Sequence, residues 1–159
     1  MQFSIIAVGN LREKHWKQAC EEYLKRLRPY ADTKVLEVTE ERVQNEDSPA
    51  LLLQAKQREA ERMRKLIRPG QAIIALDVAG RSMTSPELAA YLETEETYGR
   101  GNFALVIGGS YGLDESILQA ASLRLSFSAF TFPHQLMRVI LLEQLYRAMK
   151  IRRGEAYHK

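Results

Sequence analysis

At 159 residues with 45% hydrophobic side chains, the chain is long enough to bury a real core, and one domain spanning residues 1–159 is expected. Its apolar stretches are too short for a membrane span, and a single cysteine, Cys20, excludes an intrachain disulfide framework and a cysteine-based zinc site. The net charge of +3 is unevenly spread: residues 138–159 carry six basic groups against two acidic ones, so a polyanion such as RNA is drawn to that end unless the cations are simply a solvated tail.

The opening MQFSIIAVGN lacks a basic n-region and reads as a first strand over residues 2–8 rather than a signal peptide. A cytoplasmic protein is expected. Trp16, Ala19, Cys20, Tyr23, Leu24 and Leu27 recur at spacings of three and four, which predicts a helix over residues 13–28 stopped by Pro29. Residues 33–39 alternate as a strand, and 40–48 form a polar loop. Ser48-Pro49 starts a helix running to about Arg68, with Ser as cap and Pro in the first position. Residues 71–77 read as a buried strand followed by the loop VAGRSM. The next helix is capped by Ser85, or by Thr84 with Glu87 returning the bond, and ends near Gly99. Residues 103–107 form another buried strand, Asp114 caps a helix of about two turns, and 123–127 alternate as the last strand. Pro133 opens a long helix from His134 to about Ile151. Strand and helix alternate throughout, which predicts an α/β fold with a mostly parallel sheet covered by helices on both faces.

The last helix is apolar around most of its circumference, leaving a narrow polar stripe that includes Arg138, Glu143 and Arg147. A surface helix needs an apolar arc of only about 100°. A two-fold homodimer covers the surplus; a central position within one chain is the alternative.

In parallel α/β sheets, ligands bind beyond the carboxyl ends of the strands. Three such ends are distinctive: Leu76-Asp77-Val78-Ala79-Gly80, Ile107-Gly108-Gly109-Ser110-Tyr111-Gly112, and Phe127-Ser128-Ala129-Phe130-Thr131-Phe132-Pro133. If the strands are neighbours, these loops converge on one crevice. The glycines permit positive φ or close ligand approach, or serve only a tight turn. Their spacing is neither the dinucleotide fingerprint nor a Walker A loop. The aromatic segment offers apolar walls, hydroxyls and free backbone groups that suit an adenine edge, or else is plain core. His134 reads as structural.

The segments ALDVAGRSMTSPELA, FALVIGGSYGLDESI and LSFSAFTFPHQLMRVILLEQLYRAMKI, with the ending YHK, resemble the RlmH (YbeA-like) family of 23S rRNA pseudouridine N3-methyltransferases. The resemblance runs over essentially the whole chain, with residues 10–65 less distinctive. It implies a SPOUT-type α/β fold with a deep C-terminal trefoil knot, a homodimer, and methylation of N3 of a pseudouridine in 23S rRNA of the assembled ribosome. S-adenosylmethionine is then held by Leu76, Gly108 and the run Phe127, Ser128, Ala129, Phe130, Thr131 and Phe132. Tyr157 and His158 match the family's active-site tail, which reaches the partner's cofactor. Arg152, Arg153 and Lys159 are candidates for RNA phosphate, and no metal is required.

Methyl transfer from a sulfonium is an in-line displacement, so alignment and charge control dominate. An imide N3–H is a poor nucleophile until it loses its proton, which calls for a base. His158 is the candidate because imidazole titrates near neutral pH, with Tyr157 stacking on or hydrogen-bonding the nucleobase. A non-catalytic RNA-binding factor and an enzyme using another nucleotide cofactor are the rival expectations.

Overall fold

The computed structural model describes residues 1–157. Its elements are β1 (Gln2–Val8), α1 (Lys14–Leu27), β2 (Asp32–Val38), α2 (Pro49–Leu66), β3 (Ala72–Ser82), α3 (Ser85–Thr97), β4 (Asn102–Ile107), α4 (Glu115–Ala120), β5 (Leu123–Ser126) and α5 (His134–Arg152). The five strands form one sheet in the order β2-β1-β4-β3-β5, with every pairing parallel.

Side chains alternate across the pleat, so each central strand feeds two cores. Phe3, Ile5 and Ala7 of β1, with Phe103, Leu105 and Ile107 of β4, pack on the face covered by α1, α3 and α5. Ile6, Val8, Ala104 and Val106 point the other way, against Ala60 and Met63 of α2 and Ile117 of α4. The predicted helices on both faces are therefore present. Helix starts follow the cap chemistry. Ser48 Oγ accepts from the Leu51 N–H, and Thr84 and Glu87 form the reciprocal box, which decides for Thr84 over Ser85. No helix among the described residues is long and apolar enough to cross a membrane.

Two expectations need correction. First, β3 does not end at residue 77. Leu76 and Arg81 both lie opposite Leu125, so residues 77–80 bulge out and the strand resumes to Ser82. Gly80 allows this fold-back, because a Cβ there would sit 2.6 Å from the carbonyl oxygen of Arg124.

Second, Arg138 is not on a solvent stripe. It is 1% exposed, paired with Glu37 and donating to the carbonyls of Val8 and Gly9. It thus ties α5 to the carboxyl ends of β1 and β2. Charged hydrogen bonds to these carbonyls and to Glu37 offset the cost of burying a guanidinium. Much of the apolar circumference of α5 is used within the chain. Leu141, Leu142, Leu145, Ala148 and Met149 are buried, and α5 packs against both α1 and α3. Leu136 and Ile140 are half-buried and belong to neither core cluster.

Candidate functional site

The strand order makes β4, β3 and β5 consecutive, so their three carboxyl-end loops do converge. Between them lies a cavity of about 530 Å³, within the range of roughly 300–1,000 Å³ typical of small-molecule sites. Of the residues singled out by sequence, Leu76, Gly108, Phe127, Ser128, Phe130, Thr131 and Phe132 line it. Ala129 is exposed and lies outside the lining. Ile107, Leu125 and Met137 complete the apolar walls.

The wall formed by residues 128–132 is unusual in its backbone. Phe130 N–H donates to Ser128 Oγ at 3.0 Å, and the Ser128 carbonyl accepts from Ser126 Oγ at 3.2 Å. The N–H groups of Thr131 and Phe132 have no partner among the described residues. Backbone polar groups beside an apolar cavity seek a ligand or water. A flat heterocycle with donors and acceptors on its rim meets both demands, pairing its edge with the backbone and its faces with the apolar walls.

The glycine loop is governed first by its own turn. A Cβ on Gly108 would lie 2.8 Å from the carbonyl carbon of Gly112, and one on Gly109 would lie 2.9 Å from Val8 Cγ1. Gly112 has φ +81 and bridges back to Gly109. Both conformations need glycine whatever the ligand. The opposite lip is fixed by charge. Arg124 places Nε at 2.9 Å and Nη2 at 2.6 Å from Asp77 Oδ2, while Asp77 Oδ1 accepts from the Ala79 N–H. Asp77 is therefore a clamp on the 77–80 bulge, not a free acid.

The tail lies elsewhere in the same chain. The Tyr157 hydroxyl donates to Glu143 Oε1 at 3.1 Å, and its ring meets Tyr146 edge-on at 4.9 Å and the Arg147 guanidinium at 4.7 Å. Burial, reinforced by the Glu143 charge and hydrogen bond, pushes its phenol up to about 12. Tyr157 thus stays a neutral phenol and a hydrogen-bond donor at neutral pH, and it does not line the crevice of its own chain. Arg152 is held by Glu96 at 2.5 Å, and Glu96 also takes the chain's amino terminus at 3.2 Å. Arg153 donates to the Pro29 carbonyl and stacks on Tyr30 at 4.6 Å. His158 and Lys159 lie outside the described residues.

Sequence reasoning passed over His134, which lines the crevice at the start of α5. Its position directly after the aromatic loop and Pro133 is the signal that marks it. Among the described residues no group of three or more His, Cys, Asp or Glu is arranged to hold a metal ion. The model of one protein family, described as predicted SPOUT methyltransferase, matches residues 1–158.

Proposed function

The chain belongs to the SPOUT methyltransferase family, and from that premise we propose that it methylates N3 of a pseudouridine in 23S rRNA on the assembled large ribosomal subunit. The observation that carries the reading is the convergence of the three loops bearing the RlmH-like motifs on one crevice. The residues present fit S-adenosylmethionine. Unpaired backbone groups at Thr131 and Phe132 suit the adenine edge, and Leu76, Ile107 and Leu125 suit its faces. The bound donor supplies an electrophilic methyl on a sulfonium.

The chain's own contribution is alignment and proton control. The crevice excludes water from one side of the reacting centre. His158 takes the proton from N3, and the ring of Tyr157, whose hydroxyl proton is engaged by Glu143, stacks on the nucleobase. Tyr157 does not line its own crevice, so in this reading the tail serves the crevice of a second copy in a homodimer. The apolar side chains of Leu136 and Ile140, left outside both cores, support such an interface. The trefoil knot implied by the resemblance belongs to the same proposal.

The test is mass spectrometry of 23S rRNA from a deletion strain carrying either the wild-type gene or His158→Ala. Deletion removes one methyl from one pseudouridine, wild type restores it, and His158→Ala restores little while calorimetry with S-adenosylmethionine stays normal. An unchanged rRNA mass on deletion refutes the substrate. Full turnover by a strictly monomeric protein refutes the shared site.

A further inference from the structure

A second cavity, of about 480 Å³, opens at the same edge of the sheet beyond the carboxyl ends of β1 and β2. Its wall includes Asn10, Arg12, Glu13, Glu40, Arg42 and His134. His134 also lines the crevice, so one imidazole stands between the two spaces. The backbone beneath it is close: a Cβ on Gly9 would lie 3.5 Å from His134 Nε2.

Charge distinguishes this space from its surroundings. On nearby α2, Arg58 and Arg62 are both committed to Glu41, at 2.8 and 2.7 Å. Arg12 and Arg42 are exposed and make no hydrogen bond or ion pair among the described residues. Two open guanidiniums invite phosphate oxygens. Glu13 and Glu40 stand in the same wall, and Glu40 Oε1 already accepts from Ser110 Oγ of the glycine loop at 3.1 Å. A bare anion gains little beside two carboxylates. A ligand with phosphate acceptors and hydroxyl or imide donors uses all four groups. An RNA nucleotide has that chemistry, and its 2′-hydroxyl and base N–H supply the donors.

Resting on the methyltransferase reading above, we propose that this cavity is the subsite for the acceptor nucleotide. Arg12 and Arg42 take its flanking phosphates, and Glu13 and Glu40 accept from its sugar or base. The placement brings the nucleobase to the His134 wall, beyond which the donor crevice begins. It also gives the RNA-binding role to cations at residues 12 and 42, which are open, where Arg152 is engaged with Glu96.

The test uses the full-length protein, unmethylated bacterial ribosomes and S-adenosylhomocysteine. Association is measured by co-sedimentation over a range of salt for wild type, the Arg12→Ala/Arg42→Ala double variant, and Arg68→Ala at the opposite edge of the sheet. The double variant is expected to bind at least about tenfold more weakly, with a salt slope smaller by about two. Arg68→Ala is expected to match wild type, and all three are expected to keep equal calorimetric affinity for S-adenosylmethionine. Wild-type association and slope in the double variant overturn the proposal. So does a fall in donor affinity, which reassigns the cavity to the donor's amino-acid end. Absence of ribosome binding by wild type also overturns it. Wild-type protein that binds ribosomes in this way but, given S-adenosylmethionine in place of S-adenosylhomocysteine, transfers no methyl defeats the functional reading and leaves the RNA-binding result standing.

Discussion

The two cavities along the carboxyl edge of the sheet are built from different materials. The crevice over β4, β3 and β5 is made by backbone: a glycine turn, a bulged strand and a loop with unpaired amides. The cavity over β1 and β2 is made by side chains projecting from three separate segments. A backbone-built site is sensitive to any added Cβ but indifferent to many side-chain changes. A side-chain-built site responds to the loss of single charges and to salt. One edge of one sheet thus combines a pocket shaped by backbone with a polar one shaped by side chains.

The sharpest way to break this contrast is Gly108→Val on the crevice side. Its Cβ falls 2.8 Å from Gly112 backbone, so the turn must open. Affinity for S-adenosylmethionine, read by calorimetry, is expected to drop by about a hundredfold, an order-of-magnitude figure for a displaced binding loop. Unaltered affinity means the donor does not use this turn. Arg138→Met acts on the other side. It removes the guanidinium donors from the Val8 and Gly9 carbonyls and leaves Glu37 with only the Leu11 N–H. Because Glu37 is partly solvated, the expected destabilisation is about 2 kcal/mol rather than the full cost of a buried lone charge. Urea denaturation reads it, and ribosome association should suffer more than donor binding.

The smallest effect concerns Glu59, 3% exposed beneath the 39–48 loop, where it accepts the Glu41 N–H at 2.9 Å. Burial raises its pKa despite that hydrogen bond. The folded protein therefore holds a proton that the unfolded chain has already released as pH climbs past the ordinary glutamate value. Stability from this group is present below that value and lost as pH rises through the raised one. Glu59→Gln keeps the acceptor and removes the charge. It is expected to raise Tm by about 2 °C at pH 7 and to leave it unchanged at pH 4, a shift in keeping with a domain of this size. An equal change at both pH values excludes the buried charge as the cause.

Local chemistry made most elements readable from sequence. Ser48-Pro49 and Thr84 with Glu87 are cap signals that the backbone obeys, and the apolar runs within residues 2–8 and 103–107 are strands whose side chains feed both cores. The crevice over β4, β3 and β5 was legible because its glycine and aromatic loops are contiguous in sequence. Arg138 was misread by grouping it in one polar stripe with Glu143 and Arg147, although positions five and nine residues on fall about 140° and about 180° round an α-helix; its burial depends on β1 and β2. The extension of β3 was missed because a polar, glycine-containing stretch reads as loop until β5 lies beside it. The second cavity had no sequence signature: residues 9–13, 39–42 and 134–135 meet only after the sheet has formed.

The sheet order also bears on how the chain is made. Gln2 of the first strand pairs with Asn102 of the fourth, and Arg138, far later still, pins that first strand's end. At roughly 5–20 residues per second, translation leaves one flank of β1 uncovered for about 5–20 seconds. Ile5 and Ile6 stay accessible to misassembly meanwhile, so a nascent chain of this protein is expected to depend on holdase chaperones more than a hairpin-built protein of equal size.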